Sequence, residues 1–164
     1  MRRVQRWIPV SVLLILGCSA PPPPPPPLPP FAAVVDFKQL MQWVIDPAAD
    51  VIWDSVQTII TEKGTKEVAP QTDEQWAGVR NSAATLAESA NLLMIEGRAR
   101  DNKEWMTAAR RLSTSASHAL KAAESKQVDV LFTAGEEIYH ACDGCHKRYA
   151  NFDKPDPTPA NPAK

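Results

Sequence analysis

The chain has 164 residues, with 18 Lys+Arg against 19 Asp+Glu, three Cys and 16 Pro. Balanced charge without a Lys/Arg-rich block argues against nucleic acid as a partner, and three cysteines, one of them near the start, exclude a disulfide-stapled mini-domain. Ten of the prolines fall in residues 1–30 and four after Lys154. That leaves about 120 residues to build a core, enough for one domain and too few for two.

Arg2, Arg3 and Arg6 precede a mostly apolar stretch, Trp7 to Leu16, which runs into Gly17-Cys18. A basic start followed by about ten apolar residues, half of the ~20 that span a bilayer, has the pattern of an export signal. Ile15-Leu16-Gly17-Cys18 resembles the lipobox of bacterial lipoproteins. That resemblance implies a signal peptide over residues 1–17 and lipidation of Cys18 as the first mature residue. Ser19, following the modified Cys, then implies the outer membrane rather than the inner. Ordinary cleavage after Ala20 is the alternative, although Pro21 makes that bond a poor substrate. Residues 18–32 form a lipidated Cys and Pro-rich stalk: Pro21 to Pro30, broken only by Leu28, is expected to adopt polyproline II over roughly 30 Å. A disordered tether of the same composition differs only in reach.

Residues 33–152 carry four helical patterns. From Asp36 to about Thr61, apolar residues recur at Phe37, Leu40/Met41, Val44, Ala48, Val51/Ile52, Val56 and Ile59. Pro47 should kink or restart this helix, with Asp46 capping its second half. A turn with Gly64 and Pro70 follows, and Thr72-Asp73-Glu74-Gln75 is a capping box. It leads into Trp76, Val79, Ala83, Leu86, Ala90, Leu93 and Gly97. After a turn near Asp101-Asn102 the stripe resumes at Trp105, Ala109, Leu112, Ala116, Ala119 and Ala123. The fourth helix carries Val128, Leu131/Phe132, Gly135, Ile138/Tyr139, Cys142, Cys145/His146 and Tyr149. No segment alternates like a strand. The expected fold is all-α, an up-down-up-down four-helix bundle. Residues 153–164, rich in Pro, should be a disordered tail.

Cys142-Asp143-Gly144-Cys145-His146 carries the chemistry. Cys-x-x-Cys-His is the attachment signal of c-type haem. On a helix, residues three and four apart share a face, so Cys142 and Cys145 can form thioethers to two vinyl groups while His146 ligates the iron. A redox Cys-x-x-Cys opens a helix beside a parallel sheet, and this sequence offers no strands. A zinc site needs a further soft ligand, and the only other Cys is Cys18. One covalent haem c is therefore the expected cofactor.

A four-helix bundle with Cys-x-x-Cys-His near the end of its last helix and an aromatic, Tyr149, three residues later resembles the cytochrome c′ family and its low-spin relatives. The resemblance covers about residues 33–152. It implies either a five-coordinate haem protein that binds nitric oxide or another small gas, or a six-coordinate electron carrier with a distal Met. Where the family often has Arg four residues after the haem His, this chain has Ala150, which weakens the gas-binding reading. Relatives are often dimers through their first two helices, so a homodimer is an implied partner.

In an up-down-up-down bundle the start of helix one and the end of helix four meet at one end. Met41 and His146 then lie at similar heights, ~6 to 8 Å from their helix ends at ~1.5 Å per residue. Met41 is thus the candidate distal ligand, and it matches the first-helix position from which the low-spin relatives donate Met. Met on an apolar stripe is also ordinary core filler. Met94 and Met106, at the same end, are the fallback candidates. His140 is six residues before His146, about 240° around the helix, and cannot share its iron. His118 falls beside the stripe of Ala116 and Ala119 and should face solvent. Arg98, Arg100, Lys103, Arg110 and Arg111 cluster near this end, either as partners of haem propionates or as a solvated charged face. Trp43 and Trp105 are placed to flank the ring edge or to pack the bundle.

These features predict a monohaem c-type cytochrome, periplasm-facing and lipid-anchored. It would be an electron carrier rather than an enzyme, exchanging electrons with redox proteins of the periplasm or membrane. A gas-binding protein and a scaffolding module without turnover are the competing readings.

Overall fold

The computed structural model describes residues 32–150, all within one unit, 31–164. The expected signal peptide, Cys18, the expected stalk up to residue 31 and the expected tail lie outside the described residues. The described chain is mostly helical and compatible with a helical bundle. Its elements are α1 (Phe37–Leu40), a π-helical turn (Met41–Ile45), α2 (Asp46–Ser55), β1 (Gln57–Thr61), β2 (Gly64–Val68), α3 (Asp73–Leu92), α4 (Glu104–Glu124) and α5 (Val128–Tyr149). Among the described residues no helix is long and apolar enough to cross a membrane.

The helix starts follow local chemistry. At α3, Thr72 Oγ1 accepts from Gln75 N at 3.2 Å while Gln75 Oε1 accepts from Thr72 N at 3.1 Å, the capping box written in the sequence. A second capping box, Asp36 with Gln39, starts α1. Asp101 Oδ1 accepts from Lys103 N and Trp105 N at 2.9 and 3.0 Å, satisfying donors that the first turn of α4 leaves unpaired. α3 stops at Leu92, short of the Gly97 expected, and Gly97 turns the chain at φ +86°.

Two expectations for the first helix fail. It does not reach Thr61: Val56 is extended (φ −137°, ψ 112°), and β1 pairs antiparallel with β2 from Gln57↔Val68 to Thr61↔Gly64. The run Val56, Thr58, Ile59, Ile60, Thr61 is β-branched at five of six positions, which disfavours helix and favours strand. Thr58 Oγ1 donates to Glu67 across the strands at 2.8 Å, and Thr61 Oγ1 closes the turn onto Gly64 O. Nor does Asp46 cap the second half: it is itself helical (φ −59°, ψ −50°), although the α-helix does restart there after the π turn, with Pro47 in the first turn of α2.

Packing links α3 to α4, α4 to α5, and α2 to both α3 and α5, with the π turn against α3. The α3/α4/α5 core is built largely of alanine. Ala83, Ala90, Ala116, Ala119, Ala122 and Ala134 are all buried, which lets helix backbones approach closely around Leu86, Leu131 and Ile138. One end is clamped by Trp105, which is 2% exposed. Its Nε1 donates to Leu93 O at 2.7 Å, and its ring packs on Phe37 and, edge-on, on Tyr149 with centroids 5.5 and 5.0 Å apart. Tyr149 Oη in turn donates to Asp101. α1, the end of α3, the start of α4 and the end of α5 are thereby joined at one place.

Candidate cofactor site

A cavity of about 350 Å³ opens beside the last turns of α5. One wall is α5 itself, with Tyr139, Ala141, Cys142, Asp143, Cys145 and His146. A second wall comes from the π turn and α2, with Met41, Ile45, Asp46, Ala49 and Trp53, and Leu93, Ala108 and Leu112 complete the lining. The lining is predominantly apolar, with a few convergent polar groups, as in small-molecule sites generally.

The walls are held in register by a contact 82 residues apart in sequence. Trp53 Nε1 donates to Gly135 O at 2.9 Å, and a Cβ at position 135 would lie 3.4 Å from Trp53 Cδ1. The indole thus lies directly on α5, at a distance that a Cβ would meet as an ordinary van der Waals contact. The second feature is the π turn. Asp46 N–H bonds Met41 O, an i→i+5 bond, which stacks residue 46 over residue 41. At ~100° per residue a regular helix would set them about 140° apart. In the π register both line the cavity.

The thiols are free and half-buried. Burial, with Asp46 and Cys145 adding to it, pushes the Cys142 thiol up to about 11, and burial also raises Cys145. Both stay protonated at neutral pH, unlike the thiolates of redox Cys-x-x-Cys sites, which sit at helix N-termini. Among the described residues no group of three His, Cys, Asp or Glu is arranged to hold a metal ion by itself. The Asp46 carboxyl is raised by burial, a rise opposed by His146 in the same cavity.

Of the residues singled out by sequence, the fold brings together Cys142, Cys145, His146 and Met41. Met94 and Met106 pack on the core and do not line the cavity. His118 Nδ1 lies 2.7 Å from Glu137 Oε2 on the outer surface, and His140 is exposed, 3.8 Å from Glu136. Arg98 is no solvated cation: it is 5% exposed, donates to Val35 O at 2.6 Å and to Leu92 O at 3.5 Å, and its guanidinium is lowered by burial. It ties the segment before α1 to the end of α3. Arg100 lies 5.5 Å over the Phe37 ring. Trp105 belongs to the core, whereas Trp43 is 60% exposed, and neither lines the cavity.

Asp46, Trp53 and Tyr139 were not anticipated as wall residues. Asp46, Ala49 and Trp53, spaced i, i+3 and i+7 in α2, are an ordinary helical signal for that wall, which Met41 joins from the far side of the π turn. No family model matches the chain, and neither the curated proteins nor the solved structures hold a significant match.

Proposed function

We propose that this chain is a monohaem c-type cytochrome of the up-down-up-down four-helix type that carries electrons and is not an enzyme. The observation that supports it is that Met41, Cys142, Cys145 and His146 all line one apolar cavity. Two protonated thiols one helical turn apart, an adjacent imidazole, an apolar lining and a thioether form a donor set that suits a covalently attached haem. Cys142 and Cys145 would hold it through thioethers, His146 would be the proximal ligand and Met41 the distal one. Haem, when bound there, supplies one-electron iron chemistry at a potential that a His/Met pair raises relative to two histidines.

The remaining residues act on geometry and water. Trp53 on Gly135 fixes the spacing between the walls, Leu93 and Leu112 exclude water from the lining they complete, and the Trp105 clamp holds Leu93 in place through its carbonyl. Tyr139 and His146, both exposed and both lining the cavity, mark where an electron would leave. In the same proposal residues 1–17 are a signal peptide and Cys18 is lipidated, and the Pro-rich stalk holds the domain at a periplasm-facing membrane surface. The anchor would raise its effective concentration near redox proteins of that compartment, and a homodimer remains part of the proposal.

Optical and magnetic spectra of the purified chain test this reading. A low-spin ferric haem with the long-wavelength sulfur-to-iron band, lost in Met41→Ala, and reversible reduction by small mediators are expected. A five-coordinate high-spin ferric spectrum would overturn the Met41 assignment and favour gas binding. A haem that exchanges electrons with no mediator would overturn the carrier role.

A further inference from the structure

We propose that Pro47 is a positioning residue for the distal ligand: by forcing the π turn Met41–Ile45, it sets the register that puts the Met41 thioether on the cavity wall. The proposal rests on the haem-carrier reading above and adds to it a residue that touches no ligand.

A proline inside a helix has no N–H to give to the carbonyl four residues back, and its ring collides with that carbonyl. Here the carbonyl is that of Trp43. The chain meets this conflict immediately upstream, where the Asp46 N–H reaches back five residues to Met41 O, and Pro47 then falls in the first turn of α2, where a missing donor costs little. The burial pattern records the same shift independently. Leu40 and Ile45, five apart, are 1% and 2% exposed, and beyond Pro47 the buried positions return to Ala48, Ala49 and Ile52. A regular helix would turn Leu40 about 140° away from Ile45, and Met41 equally far from Asp46. Met41 and Asp46 line the same cavity, stacked by the bond that spans the wide turn. Single wide turns of this kind recur at functional sites.

α2 is the fixed half of the pair, because Ile52 is fully buried and Trp53 is bonded to Gly135. Any return to a regular helix must therefore rotate α1 and Met41 by about one residue, ~100°. Gln42, exposed and inside the π turn, is the residue whose removal compensates. Without it Leu40 and Ile45, and likewise Met41 and Asp46, become i,i+4 neighbours on one face of an ordinary helix.

The test compares the full-length wild type, Pro47→Ala, and Pro47→Ala with Gln42 deleted. Two readouts are used: the sulfur-to-iron band of the ferric protein, and NOEs from the Met41 methyl to the Leu93 and Leu112 methyls. The expected result is that Pro47→Ala keeps its helix content but loses both signals, and that deleting Gln42 restores both. General destabilisation by the proline change would not be repaired by a further deletion. Wild-type spectra and NOEs in Pro47→Ala, or no recovery in the double variant, would overturn the proposal. If the wild type carries haem without the band, Met41 ligation is wrong, and the NOEs alone still decide whether Pro47 sets the register.

Discussion

Replacing Trp105 by Phe should cost more than its conservative chemistry suggests. The indole Nε1 donates at 2.7 Å to the carbonyl of Leu93, just past the last residue of α3, where helix carbonyls lack a helical donor. Phe leaves that buried carbonyl without this donor, worth about 1–3 kcal/mol. The smaller ring also leaves roughly 40 Å³ unfilled beside Phe37 and Tyr149, about 1 kcal/mol at ~24 cal/mol per Å³. Together these give about 2–4 kcal/mol, a large share of the 5–15 kcal/mol typical of a domain. Urea unfolding followed by far-UV circular dichroism measures it, with Trp43→Phe as the control. Trp43 is 60% exposed and should change stability by less than about 0.5 kcal/mol. If Trp105→Phe proved as mild as the control, the clamp at this end of the domain would be wrong, and with it the account of how Leu93 is held in the cavity lining.

Two further predictions concern the same framework. The Asp101 carboxyl is held down at about 2 by the Tyr149 hydroxyl first and by the Trp105 and Lys103 amides after it. A lowered folded value means stability that is present above the ordinary carboxylate range and lost as pH falls through about 2. Melting temperatures of wild type and Asp101→Asn should thus differ above pH ~4 and converge toward pH ~2; a constant gap would contradict the assignment. Lys126 sits at φ 52° after α4, with Gln127 N bonding Ala122 O in a Schellman-type stop that favours Gly. Lys126→Gly should raise stability by up to about 1 kcal/mol in urea titration despite losing the exposed Lys126–Asp73 pair, and a loss of stability would show that this pair matters more than the backbone.

Cap chemistry and strong periodicity made α3 and α4 legible. Thr72 and Gln75 announce the start of α3, and Trp76, Val79, Ala83, Leu86 and Ala90 are all buried as their spacing requires. The face of α5 was only half legible. Val128, Phe132 and Tyr139 are exposed, while Ala134 and Ala141 are buried, because close packing against α4 selects small residues rather than the largest apolar ones. The hairpin escaped because Val56 and Ile59 continue the helical spacing of the residues before them, and periodicity was weighed above the β-branched run that decides the outcome. The cysteines and His146 were readable from spacing alone because all three lie within two turns of one helix. The stacking of Met41 with Asp46 on the second wall was not, since it depends on a wide turn that the uniform 100° rule has no means of representing. Asp46 was misplaced for that reason, while Met41, whose position was reasoned from height along the bundle, does line the cavity.

The most direct test of the account is the mass of the tryptic peptide Gln127–Lys147 from protein exported by a host that assembles c-type cytochromes. The account predicts that this peptide carries one haem through both Cys142 and Cys145, and that Cys142→Ser together with Cys145→Ser abolishes the addition. A colourless protein whose Gln127–Lys147 peptide has its unmodified mass would contradict it.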